Sequence, residues 1–310
     1  MKRIAIITGG DATYFPLLCE LFDSIARFPE SREVQFCVID AGLLPEQKEH
    51  FVRVGARVHV PGWEFAVPWR RHHGREFLRA NLAKSSLDRY FPEFEILIWI
   101  DGDAWVQDWA AIALLVDTAR KGSLAIVSQA SRFQRYNVSL KWILLDYVKL
   151  SSILWKNARR ARLPRHICRA VGNRPTLNAG IYALRRDAQH WEAWRAHQAR
   201  CVRYGRLFTS DQLSLALMAY VDELPYELLP EWCNYMGPWR AETAGGRLVE
   251  YYPPYRPLGI VHLAGFNEMR RDPNVQIEIP DASGATIIRS LRYPAWKSPA
   301  PSTASANTVS

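Results

Sequence analysis

The chain has 310 residues, a net charge of +9, 48% hydrophobic residues and 12% aromatic residues. That apolar content on that length packs as one large α/β domain or two small ones, and excludes a disordered chain. No run of 18 apolar residues occurs, so no membrane-spanning helix is expected, and the apolar part of Met1-Lys-Arg-Ile-Ala-Ile-Ile7 is too short for a signal peptide.

In chain order, residues 3–7 read as a first strand, Gly9-Gly10-Asp11 as a turn and residues 14–27 as a helix. Residues 34–39 and 57–60 are two further strands. Residues 75–90 have helical spacing, with Phe77, Leu78, Leu82, Leu87 and Tyr90 on or near one face. A strand over 95–100, a helix over 109–121 and a strand over 124–128 follow. This alternation predicts an α/β fold with a mainly parallel central sheet flanked by helices. A dinucleotide-binding fold is the obvious competitor. The turn Gly9-Gly10-Asp11-Ala12-Thr13-Tyr14 lacks the third glycine and the spacing of a GxGxxG turn, which argues against nicotinamide or flavin.

From residue 133 the pattern changes. Residues 138–155 are rich in large apolar residues, with polar breaks at Asp146, Lys149, Ser152 and Lys156. Those intervals predict one helical stripe, and Pro164 ends the unit. A strand-like run over 176–184 and helices near 188–203 and 210–220 complete the series. The chain reads as one domain over residues 1–293 with a helical basic insertion at 133–170, followed by a disordered tail over 294–310. Five cysteines (Cys19, Cys37, Cys168, Cys201, Cys233) form no metal-ligand spacing and read as reduced thiols of a cytosolic protein.

The segment Glu95-Ile-Leu-Ile-Trp-Ile-Asp101-Gly-Asp103 carries the most chemistry. A buried strand ends in two carboxylates, at the carboxyl edge where open α/β sheets bind ligands. Residues two apart in extended backbone point to one side, and paired hard oxygens suit Mn²⁺ or Mg²⁺ beside a phosphate. Asp-Gly-Asp is also ordinary turn sequence. Four other features bear on the choice. The Thr8-Gly9-Gly10-Asp11 turn lets backbone approach a nucleotide, with Tyr14 free to stack on a base, or simply starts a helix. Arg75 and Lys84 would neutralise a diphosphate, although nine residues place them on opposite sides of a helix unless it begins after Arg75. Asn178-Ala-Gly180 interrupts an apolar strand, as a bulge or a close ligand approach would. His262-Leu-Ala-Gly265 follows a strand and offers an imidazole and a backbone amide, against the ordinary structural role of a lone histidine.

In this order the set resembles the family-eight glycosyltransferases, the group that includes glycogenin and bacterial lipopolysaccharide hexosyltransferases. The matching residues are Thr8, Asp11 and Tyr14; Arg75 and Lys84; Asp101-Gly102-Asp103; Asn178-Ala-Gly180; Ser210-Asp211-Gln212; and His262-x-x-Gly265, over roughly residues 3–270. The resemblance implies a GT-A fold and hexose transfer from a nucleotide sugar, UDP-linked in this family's manner, with a Mn²⁺ or Mg²⁺ cofactor. It implies Asp101, Asp103 and His262 as metal ligands, and Thr8, Gly9, Asp11, Tyr14, Arg75, Lys84, Gly102, Gly180 and Gly265 around the donor. Asn178, Asp211 and Gln212 would line the sugar pocket, with retention of anomeric configuration; an inverting enzyme would need a base such as Asp211. One departure stands out. The family's last motif continues to a lysine that binds the donor diphosphate, and Glu268 stands there instead. Arg270 or Arg271 would have to take over, or the chain is an inactive nucleotide-sugar-binding relative.

Between residues 147 and 186 there are ten Lys or Arg and no acid, and removing these ten from the net +9 leaves the remainder at −1. Beside an amphipathic stretch, such a cluster suits the anionic inner face of a membrane carrying a saccharide or lipid-linked acceptor, or is a solvated edge. Nucleic-acid binding would use the arginines but leaves Asp101, Asp103 and His262 without a role. A phosphatase with an Asp-x-Asp motif is disfavoured, because it would carry the motif on its first strand with Thr, not Trp105, two residues after the second Asp.

Overall fold

Aliphatic and β-branched runs too short and too uniformly apolar for amphipathic helices become strands covered on both faces. The computed structural model describes residues 2–129, 138–142, 148–243 and 246–296. The first half alternates as its sequence predicts, with α2 and β5 as elements not expected: β1 (Ile4–Gly10), α1 (Phe15–Ala26), β2 (Val34–Asp40), α2 (Pro45–Arg53), β3 (Arg57–His59), α3 (Leu78–Ala83), α4 (Leu87–Tyr90), β4 (Ile96–Ile100), β5 (Ala104–Val106), α5 (Ala110–Arg120) and β6 (Leu124–Ser128). After the hairpin β7 (Val138–Trp142) and β8 (Val148–Ser152) come α6 (Ile153–Arg160), α7 (Arg165–Gly172), β9 (Leu177–Arg185), α8 (His190–Tyr204), α9 (Ser210–Tyr220) and β10 (Tyr226–Leu228). The C-terminal part comprises β11 (Arg240–Ala241), β12 (Leu248–Val249), β13 (Ile260–His262), α10 (Asn267–Arg271), β14 (Ile277–Pro280) and β15 (Thr286–Arg289).

The central sheet has seven strands in the order β10-β6-β9-β4-β1-β2-β3. All pairings are parallel except those of β9, which runs antiparallel to β4 and β6. One face buries Ile6, Val38, Ile98 and Ile181 against Leu18 and Leu21 of α1 and Ile112 and Leu115 of α5. The other buries Ile7, Ile39, Leu97 and Tyr182 against Trp191 and Trp194 of α8 and Leu215 and Met218 of α9. At about 25 cal/mol per Å² of apolar surface, each fully buried Ile or Leu contributes roughly 1.5–3 kcal/mol.

Two consequences of this topology place the site. Because β9 opposes β4, its first residues lie beside the last residues of β4, and the Asp101 amide donates to the Gly180 carbonyl at 2.7 Å. Because β13 pairs antiparallel with β5 in the register His262↔Ala104, a histidine 159 positions downstream arrives next to Asp103, and the Leu263 amide donates to the Asp103 carbonyl at 2.9 Å.

The insertion departs from its predicted form. Residues 138–142 and 148–152 pair as an antiparallel hairpin, not as part of a helix over 138–155. Val-Ser-Leu-Lys-Trp and Val-Lys-Leu-Ser alternate apolar and polar residues, and that period of two outweighs the three- and four-residue spacing of the polar breaks. The helix begins only at Ile153, where Ser152 Oγ accepts from the Trp155 amide at 3.0 Å. Residues 130–137 and 143–147 lie outside the described residues. Helices α6 and α7 pack through Leu154, Ala158, Cys168 and Val171 on Leu213, Ala216 and Leu217 of α9, while Lys156, Arg159, Arg160, Arg162, Arg165 and Arg169 stay exposed. Of the expected tail over 294–310, residues 294–296 belong instead to the 3₁₀ turn Tyr293–Trp296, in which Tyr293 and Trp296 are buried, and residues 297–310 lie outside the described residues. The cysteines are free, and all but the half-buried Cys19 are buried.

Candidate active site

Around the carboxyl ends of β1 and β4 lies a cavity of about 570 Å³. Asp101, Gly102 and Asp103 line it, as do Gly9, Asp11 and Tyr14 from the end of β1, Asn178 and Gly180 from β9, Asp211 and Gln212 from α9, and His262 and Gly265 from the C-terminal part. Lys84 reaches it from the 3₁₀ turn between α3 and α4. The sequence-based set therefore converges, with two exceptions. Thr8 is wholly buried inside β1 and does not line the cavity. Arg75 precedes α3, is exposed, and faces a neighbouring cleft instead. The predicted helix over 75–90 is broken into α3, the 3₁₀ turn Lys84–Ser86 and α4. Ser85 and Ser86 are weak helix formers whose hydroxyls compete for backbone partners, and Ser85 Oγ donates to the Leu82 carbonyl at 3.3 Å.

Asp101, Asp103 and His262 form a three-residue group whose candidate ligand atoms lie within 4.8 Å of one another. The oxygens are divided by use. Asp101 Oδ1 accepts from Lys84 Nζ at 2.8 Å and from Trp99 Nε1 at 2.7 Å. Asp103 Oδ2 accepts from Arg270 at 2.7 Å. The other two oxygens face the imidazole: His262 Nε2 is 3.4 Å from Asp103 Oδ1 and 4.0 Å from Asp101 Oδ2. Two atoms bonded at about 2.1 Å to one octahedral ion stand about 3–4 Å apart, and His262 Nε2 has that spacing from both carboxylate oxygens. The back of the ring is fixed too. His262 Nδ1 lies 2.8 Å from Asn234 Oδ1, which takes the Nδ1 proton and leaves the Nε2 lone pair facing the carboxylates. Gly180 makes the space: a Cβ there would come within 2.6 Å of His262 Cε1 and 2.7 Å of Asp101 Oδ2.

The electrostatics also favour a cation. Among the described residues, Asp101, Asp103 and Asp211 face two full cations, Lys84 and Arg270, with Lys84 also 3.4 Å from Asp211 Oδ2, and beside them the imidazole of His262. Burial would raise the Asp103 pKa, but His262 and Arg270 outweigh it and hold the carboxyl well below its ordinary range. Burial alone would strip the proton from His262; Asp103 more than offsets this and raises its pKa. Lys84 is buried, which opposes its charge, yet Asp101 and Asp211 raise its pKa and keep it cationic. Asp211 is raised by burial, against the pull of Lys84. Tyr14 is pushed up to about 12, first by burial and then by Asp103.

The two arginines that follow Glu268 point to different places. Glu268 and Arg271 are exposed, whereas Arg270 lines the cavity and donates to Asp103 and, at 3.1 Å, to the Tyr14 hydroxyl. Asp11 Oδ1 accepts from the Thr13 amide at 3.0 Å, so it also shapes the turn into α1. Tyr235 and Trp239 are buried in the C-terminal core with Trp232 packed against it, and do not line the cavity. Asn234 and Trp99 are contributors that sequence reasoning missed. A buried amide amid the aromatic run Trp232-Cys-Asn-Tyr235 was the available signal for Asn234, since a polar side chain there must find a partner.

No protein-family model matches the chain, and no curated protein does. Among solved structures, the apo form of the bifunctional glycosyltransferase WbbM aligns over 85% of this chain at 15% identity and a TM-score of 0.50; the chain spans 46% of WbbM. The galactosyltransferase LgtC, in complex with donor and acceptor sugar analogs, aligns over 84% of this chain and 87% of its own at 14% identity and a TM-score of 0.49. Mouse xyloside xylosyltransferase 1 aligns over 84% and 97% at 11% identity and 0.46. The likeness to WbbM is one of fold: a mixed α/β architecture with a mainly parallel seven-stranded sheet flanked by helices, of the GT-A type.

Proposed function

We propose that the chain is a metal-dependent glycosyltransferase that moves a hexose from a nucleotide sugar, with UDP as the nucleotide, to a saccharide or lipid-linked acceptor. The observation that carries this reading is the division of carboxylate oxygens: one of each pair is held by Lys84 or Arg270, and the other faces His262 Nε2. A Mn²⁺ or Mg²⁺ ion held by Asp101, Asp103 and His262 would supply positive charge to a donor diphosphate. Arg270 is the side chain available to bind that diphosphate in place of the missing lysine, and its fork geometry suits phosphate oxygens. Tyr14 and the turn from Gly9 to Asp11 would hold the base and ribose. Asn178, Asp211 and Gln212 would face the sugar.

In the transfer, the bond from the anomeric carbon to the diphosphate breaks and its electron pair leaves with the phosphate. A new bond forms to the acceptor oxygen, whose proton needs a base. Each cavity-lining carboxylate is already engaged: Asp11 by Thr13, Asp101 by Lys84, Asp103 by Arg270, and Asp211 by Lys84 and the Gln212 amide. With every carboxylate of the described cavity wall already holding a partner, and the remaining oxygens of Asp101 and Asp103 assigned to the ion on this reading, the departing phosphate oxygen is the favoured proton acceptor, in line with retention. The exposed cations of α6 and α7 would let the enzyme rest on an anionic membrane surface; no helix among the described residues is long and apolar enough to cross one.

Titration of the purified chain with UDP tests the reading. Binding should require Mn²⁺ and vanish in EDTA, and metal-independent binding or none would overturn it. Asp103→Ala should abolish donor hydrolysis; undiminished hydrolysis would remove Asp103 from the ligand set.

A further inference from the structure

Next to the candidate active site is a second cleft, of about 620 Å³, lined by Arg70, Arg71, Arg75, Arg206 and Thr209, with no acid in its wall. It shares Phe77 and Phe208 with the first cavity. The two spaces are thus contiguous, and the join lies where α9 begins: Thr209 lines the basic cleft while Asp211 and Gln212 line the cavity. Asn81 ties the two walls by donating to the Phe208 carbonyl at 3.2 Å.

The four arginines do different things. Arg71 is structural. It donates to the Arg203 carbonyl at 2.9 Å and to the carbonyls of Val202 and Gly205, and so pins the segment before α3 to the end of α8. Arg70, Arg75 and Arg206 are exposed and form no ion pair among the described residues. With the segment held by Arg71, these three guanidinium groups line one concave space, Arg75 with its guanidinium carbon 5.8 Å from the centre of the Phe77 ring, and their forked donors suit phosphate oxygens. Phe208 is 59% exposed, an apolar plate of the kind on which a sugar ring rests.

We infer that this cleft binds a phosphate-bearing saccharide, its phosphate on Arg70, Arg75 and Arg206 and its ring against Phe208. Calling that saccharide the acceptor rests on the sugar-transfer reading above; the anion site itself does not. A donor held by the first cavity would present its sugar toward Asp211 and Gln212, the side from which the cleft opens. An acceptor anchored by its phosphate would extend its hydroxyl through the shared Phe77 and Phe208 wall.

Glucose 6-phosphate is the probe, titrated into the full chain and followed by ³¹P and ligand-observed ¹H NMR, with unphosphorylated glucose beside it. Glucose should bind at least tenfold more weakly than glucose 6-phosphate. The triple variant Arg70→Ser, Arg75→Ser, Arg206→Ser should lose at least tenfold in affinity for glucose 6-phosphate while keeping its thermal midpoint and its UDP–Mn²⁺ affinity. A triple variant that binds like the parent, or equal affinity for the two sugars, overturns the inference. So does arginine-dependent binding seen only on phosphatidylglycerol vesicles, which would make the cleft a lipid contact. If UDP–Mn²⁺ fails to bind but arginine-dependent glucose 6-phosphate binding persists, the sugar-transfer reading falls and the anion site stands.

Discussion

His262 contributes little by being a histidine and much by where its two nitrogens point. Asn234 Oδ1 engages Nδ1 at 2.8 Å, so the imidazole is oriented before any ligand arrives. Partners of this kind typically tune metal affinity by about 10–100-fold. Asn234→Ala should therefore weaken Mn²⁺ binding within that range by calorimetric titration, without removing a ligand; unchanged affinity would mean that the ring is held by packing alone. Gly180 acts through the space it leaves. A methyl group there would stand 2.6–2.8 Å from His262 Cε1, Asp101 Oδ2 and Asn178 Oδ1, and none of the three can retreat without changing the site. Gly180→Ala should cost at least about tenfold in Mn²⁺ affinity, since displaced ligands miss the short coordination distances an ion demands. Retained affinity in this variant would show that the cation sits elsewhere.

Elements deliver these side chains, and the weakest delivery is the pairing of β13 with β5, three residues long. Gln107, just past β5, reinforces it. Its amide nitrogen donates to the Leu248 and Leu258 carbonyls at 2.8 and 2.9 Å, and its oxygen accepts from the Leu248 amide at 2.8 Å. Gln107→Leu would orphan two buried backbone groups, the Leu258 carbonyl and the Leu248 amide, each costing about 1–3 kcal/mol, while the Leu248 carbonyl keeps its bond from the Leu258 amide. A loss on the order of 3 kcal/mol in urea unfolding is expected, with weaker Mn²⁺ binding because the register of His262 is no longer braced; a stability change under about 1 kcal/mol would refute that bracing. Such long-range contacts explain what the sequence could and could not reveal. The strands β1, β2, β3, β4 and β6 were legible because their apolar runs and turns are local, whereas the three-residue β5 was not read, since it is defined by its pairing with the distant β13. Asp101 and Asp103 were legible because they terminate one of those runs. The hairpin of β7 and β8 was misread because its apolar residues satisfy two periods at once. Asn234, Trp99 and the inward turn of Arg270 were not readable locally, since each acquires its role from a partner far away in the chain.

At the scale of the molecule, the cavity joins parts that fold from opposite ends of the sequence. The sheet supplies Asp101, Asp103 and Gly180, while the C-terminal part supplies His262 and Arg270. That part is clasped to α1 by Arg292, only 3% exposed, whose Nε donates to Glu20 at 2.7 Å. A ligand that bridges both parts binds the native chain and not the unfolded one, so it must stabilise the whole fold. The increment follows mass action and reaches about 2.7 kcal/mol at a ligand concentration one hundred times the dissociation constant. At about 2.1 cal/mol/K of unfolding entropy per residue, each kcal/mol raises the melting midpoint of a chain of 310 residues by roughly 1.5–2 °C, so UDP with Mn²⁺ should raise it by about 4–5 °C. On the proposed reading the metal is the necessary link, because the acidic cluster would otherwise repel a diphosphate. UDP in EDTA should leave the midpoint near that of the free chain, and Asp103→Ala should show no shift with UDP and Mn²⁺ together. Calorimetric scans of these combinations decide the matter: an equal rise with and without the metal would mean that the nucleotide is held without the Asp101, Asp103 and His262 centre, and the proposed chemistry would lose its foundation.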